Sequence, residues 1–132
     1  MELRGYIHSP SEGFAMNFGI LLHALMLVES GNQADAIGDN GRAIGCLQIT
    51  RACVRDVNRI YGTRYRWPDD CFNRYLSGRI CDLYLSAYVT EERLGRKPTP
   101  QDFARAWNGG GPAGWKRKST IPYWNKVRKN LK

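Results

Sequence analysis

The longest apolar stretch of the chain runs from Phe14 to Val28 and is followed by the polar residues Glu29 and Ser30. Before it, Ser9-Pro10-Ser11-Glu12 combines an N-cap serine, a proline at the first helical position and a glutamate three residues after the cap, which is a capping box. We predict a helix that begins there and ends near Glu29 or Ser30, with Gly31 as its left-handed terminator. Because this sequence is apolar on nearly every side, the helix is expected to be buried at the centre of the domain.

The rest of the chain predicts one irregular lobe and four further helices. Residues 37–49 are rich in glycine and predict a loop with at most a small hairpin at Asp39-Asn40-Gly41. Thr50 and Gly62 are start and stop signals of a helix, and Thr99-Pro100-Gln101-Asp102 opens a short helix that runs through Trp107. Between them, a long helix is expected after Trp67-Pro68-Asp69-Asp70, and it ends near Gly95. A last helix covers the C-terminus.

Helical spacing also predicts which side chains face inward. The three sets are Cys53, Val57, Ile60 and Tyr61, then Phe72, Leu76, Ile80, Leu83, Tyr84 and Ala87, and then Trp124, Val127 and Leu131. The fold class that follows is mainly α with a small hairpin lobe, in a single domain that covers residues 1–132.

The charge of the chain narrows the class of partner. The 132 residues include 20 basic and 12 acidic side chains, which gives a net charge of +8, and 42% of the residues are hydrophobic. That content supports a folded domain with a core and argues against disorder. The charge favours a polyanionic partner, which is a nucleic acid, an anionic membrane or a bacterial wall with its carboxylates and attached polymers.

Four cysteines, Cys46, Cys53, Cys71 and Cys81, leave two interpretations open. They lack the CxxC spacing of zinc sites, and they are few for a disulfide scaffold. Two bridges are possible, although Cys71 and Cys81 would lie ~15 Å apart if they shared one helix, which is too far for a mutual bond. Four reduced and mostly buried thiols are the alternative.

The apolar stretch does not read as a targeting or membrane segment. It contains Asn17, Gly19 and His23, lacks a charged region close before it and runs into Glu29 without a small-residue cleavage pattern. No signal peptide is visible, and no membrane insertion is expected. A role outside the cell would need an export signal not contained in this sequence, lysis or an injection device. His23 is predicted to be a hydrogen-bonded core histidine, and it has no partner spaced for a metal site.

Glu29 is the first candidate for chemistry, because an apolar helix would carry its carboxyl into a cleft. Desolvation and the negative end of the helix dipole both disfavour the charged form of such a group. Asp39 follows ten residues later, in a loop able to fold back over the helix end. A neutral acid opposite an ionised carboxylate is what cleavage of a glycosidic bond requires. Without such a role, Glu29 would be a solvated helix-end carboxylate and Asp39 a turn residue.

Further candidates could form the walls of a sugar-binding cleft. The segment Asn108-Gly109-Gly110-Gly111-Pro112 has more glycines than a helix stop needs, and they would let a bulky ligand approach the backbone. Trp107 offers an aromatic wall for a sugar face, and Tyr123 is available for the cleft while Trp124 is assigned to the core. Gln48, between two apolar residues, lines a sugar subsite or is an edge-strand polar residue.

These residues, in this order, resemble the lysozyme superfamily. The matching segments are Glu29-Ser30-Gly31, Gly38-Asp39-x-Gly41-x-x-x-Gly45-x-x-Gln48-Ile49 and Asn108-Gly109-Gly110. The loop is similar to those of goose-type lysozymes and of soluble lytic transglycosylase domains. The segments 104–110 and 123–127 are most similar to invertebrate-type, or destabilase-like, lysozymes, and the resemblance covers about residues 10–131.

The resemblance implies an α+β lysozyme-like fold with a substrate cleft, a peptidoglycan glycan strand as partner, and no metal or cofactor. By matching position, Glu29 would be the general acid that protonates the leaving oxygen, and Asp39 the nucleophile or the base for water. The residues that would bind substrate are Ser30, Gln48, Ile49, Trp107, Asn108, Gly109, Gly110 and Tyr123.

The predicted function is that of a monomeric peptidoglycan muramidase, which hydrolyses the bond between N-acetylmuramic acid and N-acetylglucosamine. It would act at the cell wall after secretion, in the periplasm or after delivery by a phage. One alternative is a lytic transglycosylase that forms 1,6-anhydromuramyl products with Glu29 as the sole acid and base. Another is an inactive wall-glycan-binding or structural virion protein. A nucleic-acid-binding domain is disfavoured because the basic residues form no stripe interleaved with exposed aromatics.

Overall fold

The computed structural model describes residues 18–131, most of which are helical. Within that range the α-helices are α1 Phe18–Ser30, α2 Arg51–Tyr61, α3 Arg74–Tyr88, α4 Glu91–Leu94, α5 Pro100–Gly109 and α6 Ile121–Arg128. Two short strands, β1 Ile37–Gly38 and β2 Ala43–Ile44, pair in antiparallel fashion. Turns of 3₁₀ helix cover Asp39–Gly41, Asp69–Phe72, Gly111–Lys116 and Lys118–Thr120. The predicted fold class, mainly α with a small hairpin lobe, is confirmed.

The described residues divide into two compact units. The first, here called the hairpin unit, is Met26–Tyr84 and contains both strands and α2. The second, the α5–α6 unit, comprises residues 18–25 and 85–131. Between residues 18 and 131, every helix is too short or too polar to cross a bilayer. The expectation that residues 1–132 work as a single catalytic domain stays a prediction.

Helix α1 ends as its sequence predicts, but it is not buried on all sides. It stops at Ser30, and Gly31 adopts a left-handed φ of 69°. Leu21, Ala24 and Leu25 are fully buried, whereas Gly19, Ile20 and His23 are exposed. The predictions of an all-round buried helix and of a core histidine are therefore wrong. His23 lies four positions after Gly19 and three after Ile20, so these exposed residues lie on one face of the helix, and this face reaches solvent. The predicted capping box at residues 9–12 lies outside the described residues.

The predicted hairpin is present, and a glycine after it allows close packing against another backbone segment. Ile37 pairs with Ile44, and Gly38 pairs with Ala43. The Gly45 N–H then donates to the Ala36 carbonyl over 2.7 Å. Gly45 has a φ of +80°, and a Cβ there would lie 1.9 Å from the Cys71 carbonyl oxygen. Only glycine permits both that backbone angle and that approach.

Helix α2 begins and ends at the predicted residues. The Thr50 side chain accepts a hydrogen bond from the Cys53 N–H, and Gly62 closes the helix in a left-handed conformation. Val57 is buried as predicted, but the inward prediction for Ile60 is wrong, since its side chain is 38% exposed. Val54 is buried in its place, so the buried stripe is rotated relative to the predicted one.

The long helix predicted to end near Gly95 is two helices. Helix α3 stops at Tyr88, and the Thr90 side chain accepts a hydrogen bond from the Arg93 N–H to start the short α4. Glu91 and Glu92 in the first turn of α4 favour a new N-terminus there, where carboxylates interact well with the helix dipole. Ile80, Leu83 and Tyr84 of α3 are buried as predicted, whereas Phe72 and Cys71 lie in the 3₁₀ turn before the helix.

The predicted cap of α5 is a complete capping box. The Thr99 side chain accepts from the Asp102 N–H, and the Asp102 carboxylate accepts from the Thr99 N–H. This carboxylate is buried and also forms a two-bonded ion pair with Arg96 at 2.7 and 2.8 Å. In α6, Val127 is buried as predicted, Trp124 is half-buried, and Leu131 follows the helix.

The four cysteines are unpaired thiols in this structure. Cys46, Cys71 and Cys81 are buried, and Cys53 is half-buried. Burial, with a smaller contribution from the Asp70 charge, raises the pKa of Cys71 to about 12. Across residues 18–131, no group of three or more histidine, cysteine or acidic side chains is arranged to hold a metal ion.

We predict that Gly45→Ala destabilises the protein far more than Gly41→Ala. Both glycines have positive φ, at +80° and +85°, so both substitutions introduce backbone strain of about 1–2 kcal/mol. Only the Cβ at position 45 meets a carbonyl oxygen, since nothing lies within 4 Å at position 41. Denaturant unfolding should give a loss of roughly 3 kcal/mol or more for Gly45→Ala. Equal losses in the two variants would contradict this packing.

We predict that Asp102→Asn lowers the free energy of unfolding at neutral pH by about 1–3 kcal/mol, because it weakens the hydrogen bonds that the buried carboxylate accepts from Arg96 and Thr99, while the half-exposed Arg96 can still be hydrated. Burial raises the pKa of Asp102, but hydrogen bonds from Arg96 and Thr99 outweigh it and hold the pKa below its usual value. The contribution is therefore complete above the unfolded pKa of about 3.9 and is lost as the pH falls through the lower folded pKa. Urea unfolding at neutral and acidic pH measures it.

The matched control for Asp102→Asn is Asp69→Asn. Asp69 is exposed and lies 3.9 Å from Arg66, so its removal should cost less than about 1 kcal/mol at any pH. An Asp102→Asn variant as stable as this control would show that the buried pair does not support the fold.

Candidate active site

Glu29 occupies the last turn of α1 and is partly buried. Burial first, and then negative charges that include Glu29, raise the pKa of the fully buried Cys81 thiol. The Glu29 side chain is neither in bulk solvent nor sealed beneath the core. A partly buried carboxyl at a helix end can still reach a ligand that approaches from solvent.

Ser30, the next residue, fastens the end of α1 to the hairpin lobe. Its Oγ donates to the Cys46 carbonyl over 2.8 Å and accepts a hydrogen bond from the Gln33 N–H at 3.0 Å. The first bond spans sixteen positions of sequence, and the second closes the turn after the helix. Ser30 was predicted to contact substrate. In the structure its hydrogen bonds stabilise the helix end and thereby help to position Glu29.

Arg74 holds the same turn from the other side. Its guanidinium donates to the Asn32 carbonyl at 2.9 Å and to the Asn32 side-chain oxygen at 3.1 Å. Asn32 has a left-handed φ of 63°, a conformation that asparagine tolerates better than most residues. The polypeptide that follows Glu29 is therefore bonded to the start of α3 as well as to the residues after β2.

Asp39 is an exposed, ion-paired carboxylate in the turn between the two strands. Its side chain is 61% exposed, and both of its oxygens accept hydrogen bonds from Arg42, at 3.1 and 3.3 Å. These hydrogen bonds, and then the Arg42 charge, hold the pKa of Asp39 below its usual value. Asp39 is thus ionised at neutral pH, as either of its predicted roles requires. Its environment contrasts with that of Glu29.

Gln48 and Ile49 shape the hairpin lobe from within. The Gln48 amide donates to the Gly45 carbonyl at 3.0 Å, and its side-chain oxygen occupies the space that a Cβ on Gly38 would need. Ile49 is 1% exposed, and its carbonyl accepts hydrogen bonds from the Ile44 N–H and the Trp67 indole. The structure therefore gives the Ile49 side chain a place in the core, while Gln48 keeps a half-buried position beside the strands.

The remaining predicted substrate-binding residues belong to the α5–α6 unit. Trp107 and Tyr123 are half-buried, and Asn108 is exposed. Gly109 has a packing reason to be glycine, because a Cβ there would lie 2.7 Å from the Thr120 methyl and 2.8 Å from the Gly114 Cα. Gly110 has φ 73° and ψ 161°, a conformation almost restricted to glycine.

The structure thus brings the predicted site residues together in two groups. Glu29, Ser30, Asp39, Gln48 and Ile49 lie in the hairpin unit, and Trp107, Asn108, Gly109, Gly110 and Tyr123 lie in the α5–α6 unit. The sequence did not reveal the parts played by Arg42, Arg74 and Gly114. Arg42 carried a usable signal, since a cation three residues after an acid in a tight turn can pair with it. Arg74 contacts a residue 42 positions away, which no local pattern indicates.

Comparison with known proteins identifies the fold. No protein-family model matches the chain, and no curated protein matches it. A chain in the crystal structure of Aeromonas hydrophila PliI in complex with Meretrix lusoria lysozyme has a TM-score of 0.72 and 28% identity, over 96% of this chain and 93% of that one. The chain has a lysozyme-like fold.

Two further structures of lysozymes agree with this result. Inhibitor-bound lysozyme from Meretrix lusoria matches with a TM-score of 0.70 and 29% identity, and Tapes japonica lysozyme with 0.69 and 25%. Each match covers 83% of this chain and 87% of the lysozyme chain. Both TM-scores lie close to that of the first match, so the lysozyme-like fold extends over most of the polypeptide.

We predict that Arg42→Ala raises the pKa of Asp39 toward the usual aspartate value of about 3.9, because the hydrogen bonds and the positive charge that lower it are both removed. Carboxyl-carbon NMR titration of the two proteins measures the change. Arg51→Ala is the control, since the Arg51 guanidinium lies over the Trp67 ring at 4.9 Å instead. An Asp39 pKa unmoved by Arg42→Ala, or moved equally by both variants, would contradict the pairing.

Proposed function

We propose that this protein is a muramidase, which hydrolyses the bond between N-acetylmuramic acid and N-acetylglucosamine in peptidoglycan. The observation that carries the proposal is the likeness to two solved lysozymes over 83% of the chain, together with a partly buried Glu29 at the end of α1. Segments 104–110 and 123–127 of this chain resemble motifs of the invertebrate-type lysozymes, which are the proposed relatives.

In this proposal Glu29 is the general acid. Its partly buried position and its place in the last helical turn both favour the protonated carboxyl, which must donate a proton to the leaving glycosidic oxygen. Ser30 and the turn after α1 support this role by fixing the helix end through hydrogen bonds to the rest of the hairpin unit. Such support matters because an acid must lie within hydrogen-bond reach of the atom it protonates.

Asp39 is proposed as the second carboxylate, which acts as nucleophile or as base for water. Its lowered pKa keeps it ionised. The proposed chemistry pairs such a carboxylate with a protonated acid, which is the role assigned to Glu29. Arg42 would have to yield one of its hydrogen bonds for an Asp39 oxygen to attack. Both residues are exposed, so solvent can replace the lost bond.

The glycan strand is proposed to contact the exposed and half-buried residues of the predicted set, which are Gln48, Trp107, Asn108, Gly110 and Tyr123. Ser30, Ile49 and Gly109 are proposed to support the site indirectly, through the hydrogen bonds and packing described above. The net charge of +8 favours association with the anionic bacterial wall. The protein is proposed to act there as a monomer, without metal or cofactor and with no specific affinity for nucleic acid.

A lytic transglycosylase is the second candidate, and one observation favours it. Asp39 is exposed and occupied by Arg42, which suits a mechanism in which Glu29 alone serves as acid and then as base. The muramyl hydroxyl would then replace water as the attacking group and leave a 1,6-anhydro end. An inactive wall-glycan-binding or virion protein with the same fold is the remaining alternative.

We predict that Glu29→Gln lowers the rate of peptidoglycan cleavage by about 10²–10⁴-fold, because the amide cannot supply the proton. Release of soluble muropeptides from purified cell walls measures the rate. Asp35→Asn is the control, since it removes an exposed carboxylate from the same unit, and it should keep near wild-type activity. Cleavage that survives in Glu29→Gln, or that is absent from the wild-type protein, would contradict the proposal.

Mass spectrometry of the muropeptides decides between hydrolysis and transglycosylation. We predict reducing muramic acid ends from the wild-type protein and a strong loss of activity in Asp39→Asn, because hydrolysis uses the second carboxylate. Products that carry 1,6-anhydro ends, with Asp39→Asn still active, would show that the protein is a lytic transglycosylase and not a muramidase.

A further inference from the structure

A cationic pocket lies in the α5–α6 unit, among residues that the proposed glycan cleavage does not use. It has a volume of about 500 Å³, and its walls are formed by Arg96, Lys97, Thr99, Gln101, Asp102, Arg105, Trp115 and Lys116. Four of these side chains are cationic and one is a carboxylate, which leaves a net formal charge of +3 in one pocket. Charge of one sign concentrated in a concave surface attracts ligands of the opposite sign.

The single carboxylate in the pocket serves the protein and does not neutralise the other cations. Both oxygens of the buried Asp102 accept hydrogen bonds from Arg96, and one of them also accepts from the Thr99 N–H and hydroxyl. Asp102 thereby holds the Arg96 guanidinium in place, while that side chain remains 50% exposed. An arginine fixed in this way presents its remaining N–H groups without a further loss of entropy.

The other three cations keep their charge for a ligand. Arg105 donates to neutral acceptors, which are the Thr120 hydroxyl and the Arg117 carbonyl, both at 2.8 Å. Lys97 and Lys116 are exposed. Among residues 18–131, none of these three forms an ion pair with a carboxylate. An incoming anion would therefore be the first ion-pair partner of these three side chains.

An aromatic ring completes the pocket. The Trp115 ring has the Arg96 guanidinium 5.6 Å and the Lys116 ammonium 5.8 Å from its centroid. These cation–π contacts hold two of the charges beside one apolar surface. An indole next to several cations suits a ligand that alternates anionic groups with polyol or sugar units, since C–H groups pack on the ring while the anion meets the charges.

We propose that this pocket binds a phosphate-bearing polyol or sugar polymer, of the kind attached to bacterial walls. Several cations in one pocket suit a chain that carries a phosphate at each repeat. A nucleic acid is disfavoured because the pocket is discrete and offers one aromatic ring, whereas single strands are bound along grooves with several stacking platforms.

Calorimetric titration with poly(glycerol phosphate) tests the proposal on the full chain at low ionic strength. The double variant Lys97→Gln/Lys116→Gln should bind about tenfold more weakly, with a shallower dependence on salt, because two phosphate contacts are lost. The control Lys126→Gln/Lys129→Gln removes the same charge from exposed positions of α6 and beyond it, outside the pocket, and should change the affinity less than twofold. Both substituted pairs leave the Asp102 network intact, and thermal unfolding verifies that each variant is folded.

Four results would overturn the proposal: no detectable binding of the polymer, equal losses in the two double variants, inorganic phosphate or glycerol 3-phosphate bound as tightly as the polymer, or a single-stranded oligonucleotide of equal charge bound more tightly. The polymer contains no peptidoglycan, so this outcome is independent of the muramidase assay. Failure of one proposal can therefore be distinguished from failure of the other.

Discussion

The hydrogen bond from the Ser30 Oγ to the Cys46 carbonyl is the constraint on which the candidate site depends. It joins the last residue of α1 to the backbone just after β2, and Glu29 is the neighbouring residue. Gly45, the residue before Cys46, packs directly against the Cys71 carbonyl because it carries no side chain. This contact and the Arg74 hydrogen bonds to Asn32 together define the position of the helix end, and with it that of Glu29.

The carboxyl groups of Glu29 and Asp39 lie in different surroundings. Glu29 is partly buried, whereas Asp39 is exposed and bonded to Arg42. Such a difference is how one pair of chemically similar groups takes opposite protonation states at one pH. It supports the proposed division of labour between an acid and an ionised partner. The positive charges that remain, including those around Trp115, would attract the anionic bacterial wall that is proposed as the substrate.

Local sequence signals predicted the fold well where the structure is itself determined locally. Thr50 and Thr99 cap their helices, and Gly31 and Gly62 end theirs, because these effects involve only residues within one helical turn. The predictions for His23 and Ile60 were wrong because burial depends on which face meets the rest of the protein. The break before α4 was missed because the apolar pattern continues through Val89 while Thr90 starts a new helix. In the candidate site, local patterns indicated Glu29, Asp39 and Gln48 but not the contacts of Arg74 and Gly109, which require knowledge of distant segments.

The most direct measurement is a crystal structure of the Glu29→Gln protein with a bound oligosaccharide of N-acetylglucosamine and N-acetylmuramic acid. We predict a sugar chain that passes the end of α1, with the side chain at position 29 within about 3 Å of a glycosidic oxygen. A sugar chain bound elsewhere, or a side chain at position 29 out of reach of every glycosidic oxygen, would contradict it.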